Sequence, residues 1–492
     1  MKKMKAVCLY ESQRGIIMKV SAKEKYSYGL GALGKDMVCG LIFTFAMLYF
    51  TDVLKISASF VGTLFFLAKF WDAVNDLAMG VIVDNTRTRF GKFRPWLVIG
   101  TVVNVIIFVC LFTNFGLSGT SLYIFAAVMY ILWGMTYTIM DIPYWSMLPN
   151  LTSDKREREK LSVIPRIFAS IGGSLIIGGF GLQIIDFLGK GDMQVGFTNF
   201  AWVIAIIFVV TIGITVLNVK SADKTIDQKA EKISIKQMFQ MIKNNDQLIV
   251  AIGIILTFNL AVQIMNGVST YYFIYVTGSK VMFSVFTMFA GFAEIAGLFL
   301  FPKLVGKTSR ARVYLLACLS PILGFALLLI IGYVAPQNAL LTAVAGILVK
   351  LGSGLQLGTA TVILAGVVDY GEYKFGTRNE SVTFSIQTLM VKFSSAIGAL
   401  LTGFALDLTG YVPSAAQSAA TIMGIRIIMI IIPIIFTGLS YFIYKRFFKL
   451  SGEFYEKIML ELTKKRAAKS DSEIDLDLKD VELLEKNPAD IV

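Results

Sequence analysis

The chain has 492 residues, 56% hydrophobic and 16% charged, with 46 Lys and Arg against 33 Asp and Glu for a formal net charge of +13, and its mean hydropathy is +0.70. Soluble domains carry about a quarter charged residues, so this composition excludes an ordinary soluble enzyme and places the chain in a bilayer. Histidine is absent, which removes the commonest general base and metal ligand and counts against a hydrolase or a metalloenzyme. The four cysteines, Cys8, Cys39, Cys110 and Cys318, are scattered and read as small packing residues rather than disulfide or metal partners.

Residues 1–24 form a polar N-terminal extension. Its MKKMKAVCLYESQRG has no long apolar core before a small-residue cleavage site, so it is not read as a signal peptide. A bilayer core takes about 20 apolar residues per helix. Six such spans are predicted within 25–219, at 29–50, 58–83, 96–114, 121–149, 164–186 and 199–219. A lysine-rich loop over 220–247 follows, with Lys220, Lys224, Lys229, Lys232, Lys236 and Lys243. Six more spans are predicted within 248–447, at 248–276, 281–301, 313–334, 338–368, 383–408 and 417–445. The tail, 448–492, reads as a short helix and an acidic stretch. The expected fold is therefore an all-α membrane protein with twelve transmembrane helices in two six-helix halves. That is the layout of major facilitator transporters, whose substrates bind between the halves near the midplane, although a channel or a membrane enzyme can share the helix count.

Loop charge sets the expected orientation. Arg87, Arg89, Lys92 and Arg94 lie after the second span, Lys155, Arg156, Arg158 and Lys160 after the fourth, and Lys303, Lys307, Arg310 and Arg312 after the eighth. The alternate loops hold little more than Lys55, Lys190 and Lys280. By the positive-inside rule the basic loops, the central segment and both termini are cytoplasmic, in a multi-pass protein of a bacterial cell membrane. The positive charge is thus a topology signal and needs no nucleic-acid partner. The run GVIVDNTRTRFGKFRP reads either as a conformational latch, with Asp84 pairing an Arg, or as a plain topology anchor.

Charges inside the spans carry the functional signal, because a carboxylate at the bilayer centre costs at least ~2.5 kcal/mol. The second span holds Lys69, Asp72, Asn75 and Asp76, with positions 69, 72 and 76 on one helix face. The fourth holds Tyr137, Thr138, Asp141 and Trp145, the last three spaced i, i+3, i+7. Two carboxylates with an amide and a hydroxyl make a hard-oxygen cluster suited to a small alkali cation or a proton. A bound cation, or Lys69 and Lys392, would relieve the repulsion between Asp72 and Asp76; the alternative is a structural ion-pair network between helices. Asp36, Asp141, Arg166 and Trp145 have the chemistry to bind vicinal hydroxyls and pack on a pyranose face, although a lone membrane Trp is more often a packing residue or an interfacial anchor. Glu294, Lys350 and Arg426 read as inter-helix pairing partners. Asp52 and Asp407, close to span ends, are expected to reach water.

Long stretches carry a family likeness. WDAVNDLAMGVIVDNTRTRFGKFRPW, YILWGMTYTIMDIPYWSMLPNLTSDKREREKL, VVDYGEYKFGTRNESVTFSIQTLMVK and YSYGLGALGKD closely resemble the melibiose permeases, members of the glycoside–pentoside–hexuronide:cation symporters. The likeness runs from about Lys25 to about Leu450. It implies a symporter importing a galactoside such as melibiose with Na⁺, or with Li⁺ or H⁺, by alternating access. It further implies a cation site at Asp72, Asn75, Asp76 and Thr138. The implied sugar contacts are Lys35, Asp36, Tyr137, Asp141, Trp145 and Arg166, with Lys392 linking the two sites beside Gln387 and Thr388. No cofactor, catalytic residue or obligate protein partner is implied; the partners are the sugar, the coupling ion and membrane lipid. Two departures stand out: Leu357 replaces a tenth-helix Trp, and Gly366 replaces an acidic residue, which leaves the aglycone half of the specificity open. A proton-coupled carrier of another glycoside, a pentoside or a hexuronide is the alternative reading. A membrane-embedded enzyme or sensor is a remote one, since no base or triad is recognisable.

Overall fold

The computed structural model describes residues 20–152, 155–219, 244–376 and 380–464. They form twelve long helices and a short one at the end of the described chain. In chain order these are α1 (Ala22–Val53), α2 (Ala58–Asn85), α3 (Arg94–Leu111), α4 (Gly119–Leu151), α5 (155–189), α6 (Met193–Asn218), α7 (Asp246–Val276), α8 (Lys280–Lys307), α9 (Arg310–Val334), α10 (Ala339–Phe375), α11 (Glu380–Leu408), α12 (Ala419–Phe447) and α13 (452–464). Each predicted span falls within or closely overlaps one helix. No strand occurs among the described residues.

Every backbone polar group in a bilayer must be satisfied within the segment, and several of these helices carry caps at their ends. Ser21 and Glu24 close a reciprocal cap at the start of α1. The carboxylate of Asp192 accepts from the backbone of Gln194 and Val195 at the start of α6, and Asn338 caps α10 through Leu341 N–H. Gly376, at φ 74°, ends α10 in the left-handed conformation that a glycine adopts without strain. Eleven helices are apolar enough as well as long enough to cross a membrane. The other, α2, has 28 residues, about 42 Å at 1.5 Å per residue, but carries Lys69, Asp72 and Asp76 along its middle.

An internal repeat is visible where α1 and α7 end. Both finish in a π-helical turn, Tyr49–Val53 (YFTDV) and Tyr272–Val276 (YFIYV). Leu54 N–H reaches Tyr49 O at 3.0 Å and Ile56 N–H reaches Phe50 O at 2.9 Å; Thr277 to Tyr272 and Ser279 to Phe273 repeat the pattern at 3.2 and 3.0 Å. The next turn is left-handed in both, at Lys55 (φ 59°) and Gly278 (φ 68°). Repeats of this kind build transporters whose substrate lies between the two copies.

The halves are packed together at one end. A continuous apolar core runs through α1–α6 and on into Met265, Tyr271, Phe283, Phe325 and Ile428. A separate core, built on Leu248, Tyr314, Leu355 and Leu364, lies towards the opposite end of the second half and takes in Ile458 and Leu462 of α13. Between the halves α2 crosses α11 closely: a Cβ on Gly62 would lie 2.8 Å from Ala399 O and 3.0 Å from Gly403 Cα. Outward faces present Phe187, Trp202, Ile206, Leu217 and Leu340, as a helix bundle solvated by lipid requires.

Several expectations are corrected. Asp52 does not reach water; it is buried, 6% exposed, and its partners are described below. Cys39 and Cys110 are only half-buried, whereas Cys318 is in the core. The proposed pairing of Asp84, the lysines at 220–243, the basic side chains at 155–160, most of the N-terminal extension and the acidic tail lie outside the described residues.

Candidate functional site

The carboxylates of α2 lie along its seam with α4. Asp72 meets the ammonium of Lys69 at 3.3 Å, and the missing side chain of Gly134 makes room for it: a Cβ there would stand 2.6 Å from Asp72 Oδ1. Asn75 donates to Met135 O at 3.2 Å. Asp76 accepts from Thr138 Oγ1 at 3.1 Å, and its other oxygen pairs with Lys392 of α11, across the seam between the halves. The four residues expected at a cation site are thus held on one seam, each carboxylate partnered by one lysine. Charge cancellation of this kind is what makes a buried acidic pair tolerable without an ion.

One wall away, between α1 and α4, Lys35 organises a second cluster. Its buried ammonium lies 2.8 Å from Asp141 and 3.1 Å from Asp36, 3.5 Å from the Tyr137 hydroxyl and 4.9 Å from the Trp145 ring centre. Tyr137 in turn donates to Lys35 O at 3.3 Å. Asp36 Oδ2 and Asp141 Oδ1, the oxygens that face the ammonium, are buried and have no second donor among the described residues. A carboxylate oxygen can accept more than one hydrogen bond, so a hydroxyl-bearing ligand can add to these acceptors without displacing Lys35. Five of the predicted sugar contacts are therefore assembled in one place.

Arg166 is on the exposed side of α5 and has no partner among the described residues. Gln387 and Thr388 sit one turn before Lys392 on α11, half-buried and exposed, and make no hydrogen bond among the described residues. The structure does not bring these three against the Lys35 cluster. A cavity of about 390 Å³ lies between the halves, lined by Phe43, Lys69, Gln263, Asn266, Lys392 and Thr402. It is of the size that takes small ligands.

Sequence reasoning missed three features. Tyr28 and Tyr144 stack at 4.6 Å and donate to each other's backbone carbonyls, which pins α1 to α4 next to Trp145 and two turns from Lys35. Asp52 is bonded by Tyr275 and by Tyr411 at 2.5 Å, joining α1 to the second half; Thr51 meets Tyr271 at 2.8 Å beside it. Gln263 and Asn266 face the cavity from α7. The i, i+4 spacing of Tyr271 and Tyr275 was the one legible signal, and it reads equally well as packing. Glu294 and Lys350 do pair, at 3.3 Å. Arg426 donates to Gly332 O at 2.9 Å and lies 3.8 Å over the Tyr333 ring, tying α12 to α9.

Two six-helix halves, joined at one end and enclosing polar clusters at mid-depth, define a membrane transporter with the major facilitator fold, not an enzyme. The fold is matched by solved transporters: a bacterial homolog of the human lysosomal transporter Spinster, inward-facing and unoccupied (TM-score 0.63, 12% identity, 88% of this chain and 97% of that one), and a mutant form of the nucleoside transporter NupG (TM-score 0.61, 13% identity, 87% and 100%). The chain belongs to the MFS/sugar transport protein family, whose model matches residues 27–452. Among its relatives is the isoprimeverose transporter of Lactiplantibacillus pentosus, 31% identical over 419 residues (85% of this chain, 86% of the relative). Others are the putative glycoside/cation symporter YagG of Escherichia coli, 28% identical over 460 residues (92% and 97%), and the raffinose carrier protein of Pediococcus pentosaceus, 28% identical over 469 residues (91% and 72%).

Proposed function

We propose that this protein is a secondary active symporter that imports a glycoside of the melibiose type together with a cation, Na⁺ being the first candidate, by alternating access. The observation that carries the reading is the pairing of Asp72 with Lys69 and of Asp76 with Lys392, next to the Asp36 and Asp141 carboxylates gathered on Lys35. In the ion-free state the lysines act as tethered cations. An arriving ion bound by Asp72, Asn75, Asp76 and Thr138 displaces Lys392, whose ammonium swings into the cavity it already lines. The sugar's hydroxyls then complete the acceptors of Asp36 and Asp141, with Trp145 against its apolar face. Each ligand raises the other's affinity by the same factor, as linkage demands. Half-loaded forms leave an unpaired charge in a dry cavity and switch sides slowly. Each monovalent cation entering a negative interior contributes ~2.3 kcal/mol per 100 mV.

Positive loops on one side make that side cytoplasmic. The closed end at Asp52 is then external, and the halves are in an arrangement that opens inward. A second reading has support of its own. The relative named for isoprimeverose, together with Leu357 where melibiose carriers have Trp, favours a pentosyl disaccharide coupled to H⁺ on the same scaffold. A panel of melibiose, raffinose, lactose and isoprimeverose uptake into membrane vesicles, run with Na⁺, with Li⁺ or with neither at constant pH, tests both. Stimulation of a galactoside by Na⁺ supports the first; isoprimeverose uptake that follows the pH gradient and ignores Na⁺ replaces it.

A further inference from the structure

The two halves also meet along α5 and α8, which run antiparallel like the teeth of a zip. Starting from the Asp52 end, Asp186 pairs with Lys280 at 2.7 Å, Gln183 with Ser284 at 2.7 Å, and Gly178 O accepts from Thr287 at 2.6 Å. At Gly291 the helices are so close that a Cβ would lie 3.0 Å from Ser174 Cβ. The next position on the same face of α8 is Glu294, and there the contact stops. The Glu294 side chain is 41% exposed, and both Leu298 and Ile167 are open as well. Exposure halfway along a 28-residue membrane helix, on the face that has just left α5, means water between the halves rather than lipid, because a carboxylate facing lipid at that depth is costly.

The level of this opening is set by α1. A Cβ on Gly173, beside Ser174, would stand 3.4 Å from Asp36 O, which puts Glu294, one turn beyond Gly291, near the depth of the Lys35 cluster. Lys350 holds one oxygen of Glu294 at 3.3 Å and is itself drawn back, 15% exposed. The other oxygen has no partner among the described residues. Lys350 shares its face of α10 with Leu357, two turns on, where the aromatic wall of the melibiose carriers is missing.

On the glycoside reading above, we propose that Glu294, oriented by Lys350, is the specificity-determining contact of the second half. It accepts hydrogen bonds from the hydroxyls of the second sugar unit of a neutral glycoside, while the first unit occupies the Lys35 cluster. The Glu294 carboxylate is open and Lys350 is withdrawn, so the contact favours a neutral polyhydroxylated unit and repels an anionic one such as a uronate.

The test compares three sugars in vesicles: a neutral disaccharide, the methyl glycoside of its terminal ring, and the analogue whose second unit is a uronate. The protein as it stands should prefer the disaccharide to the methyl glycoside and exclude the uronate. Glu294→Gln should reduce that preference about 10- to 100-fold, the range for hydrogen bonds to a charged group, and admit the uronate. If the variant does not reach the membrane, Glu294→Asp and Lys350→Arg, which keep the pair and move the carboxylate, should still change the disaccharide-to-methyl-glycoside ratio. A ratio unmoved by all three substitutions, with the two neutral sugars weakened in parallel, makes the pair structural and overturns the assignment. Transport of no glycoside by the unaltered protein is a different failure, which removes the glycoside reading and this assignment with it.

Discussion

Lys392 of α11 reaches across the seam between the halves and pairs with Asp76 of α2, so the place expected to receive a cation from solution is already served by a cation of the chain. On the proposed function, an ion and Lys392 compete for one carboxylate. Removing the competitor should strengthen ion binding and at the same time disconnect the second half from it. Lys392→Met is expected to lower the Na⁺ concentration that half-saturates its site by about tenfold, equivalent to about 1.4 kcal/mol, while sugar accumulation collapses. Calorimetric titration of the purified protein with Na⁺ and uptake in vesicles read the two effects separately.

Thr138 places a neutral oxygen beside the same carboxylate through its 3.1 Å bond to Asp76. Thr138→Ala should weaken cation binding by about 1 kcal/mol, the net worth of one hydrogen-bonding partner. Thr138→Ser should restore it. A cation titration that does not distinguish Ala from Ser at this position removes the hydroxyl from the site.

Gly134 admits Asp72, whose Oδ1 would lie 2.6 Å from an added Cβ. Gly134→Ala therefore has to push that carboxylate along the seam. The expected outcome is a changed preference among Na⁺, Li⁺ and H⁺, because coordination size is what the displacement alters. Stimulation of uptake by each ion in turn measures it, and an unaltered order of the three would show that Asp72 is not a ligand.

Asp52, Tyr275 and Tyr411 tie the halves at the end closed in this structure. Tyr275→Phe and Tyr411→Phe each remove a donor to a buried carboxylate, with about 1–3 kcal/mol at stake for each bond to a charged group. The double variant should shift the resting population towards the form open at that end. With Ser414→Cys as a reporter, a thiol reagent applied from outside should label the double variant faster. Equal labelling would mean that the tyrosines do not hold the end shut.

The number and order of the helices were legible because each is a long apolar run between polar turns, a signal that lipid makes stronger than in soluble proteins. The members of the α2–α4 seam were legible for a related reason: Asp72, Asp76 and Thr138 fall at helical spacings, and charge in a membrane helix calls for an explanation. The pairing of Glu294 with Lys350 was legible only as a tendency, since 56 positions separate them and nothing local says that α8 and α10 touch. Asp52 was misread because nearness to a span end suggested water, whereas the π-helical turn rotates it towards Tyr275 and Tyr411. Arg166, Gln387 and Thr388 were placed by resemblance, and the structure leaves them apart from the Lys35 cluster in this arrangement of the halves. Bringing them in requires the halves to move, which no helix pattern encodes.

The most direct measurement is sugar-driven ion movement: purified protein in sealed liposomes at fixed pH, an inward melibiose gradient, and radioactive Na⁺ followed inside, for the unaltered chain and for Asp72→Cys. The account predicts Na⁺ entry that depends on the sugar and vanishes in Asp72→Cys, while some sugar binding survives. Sugar entry unaccompanied by Na⁺, Li⁺ or H⁺, or entry coupled as strongly in Asp72→Cys as in the unaltered chain, would contradict it.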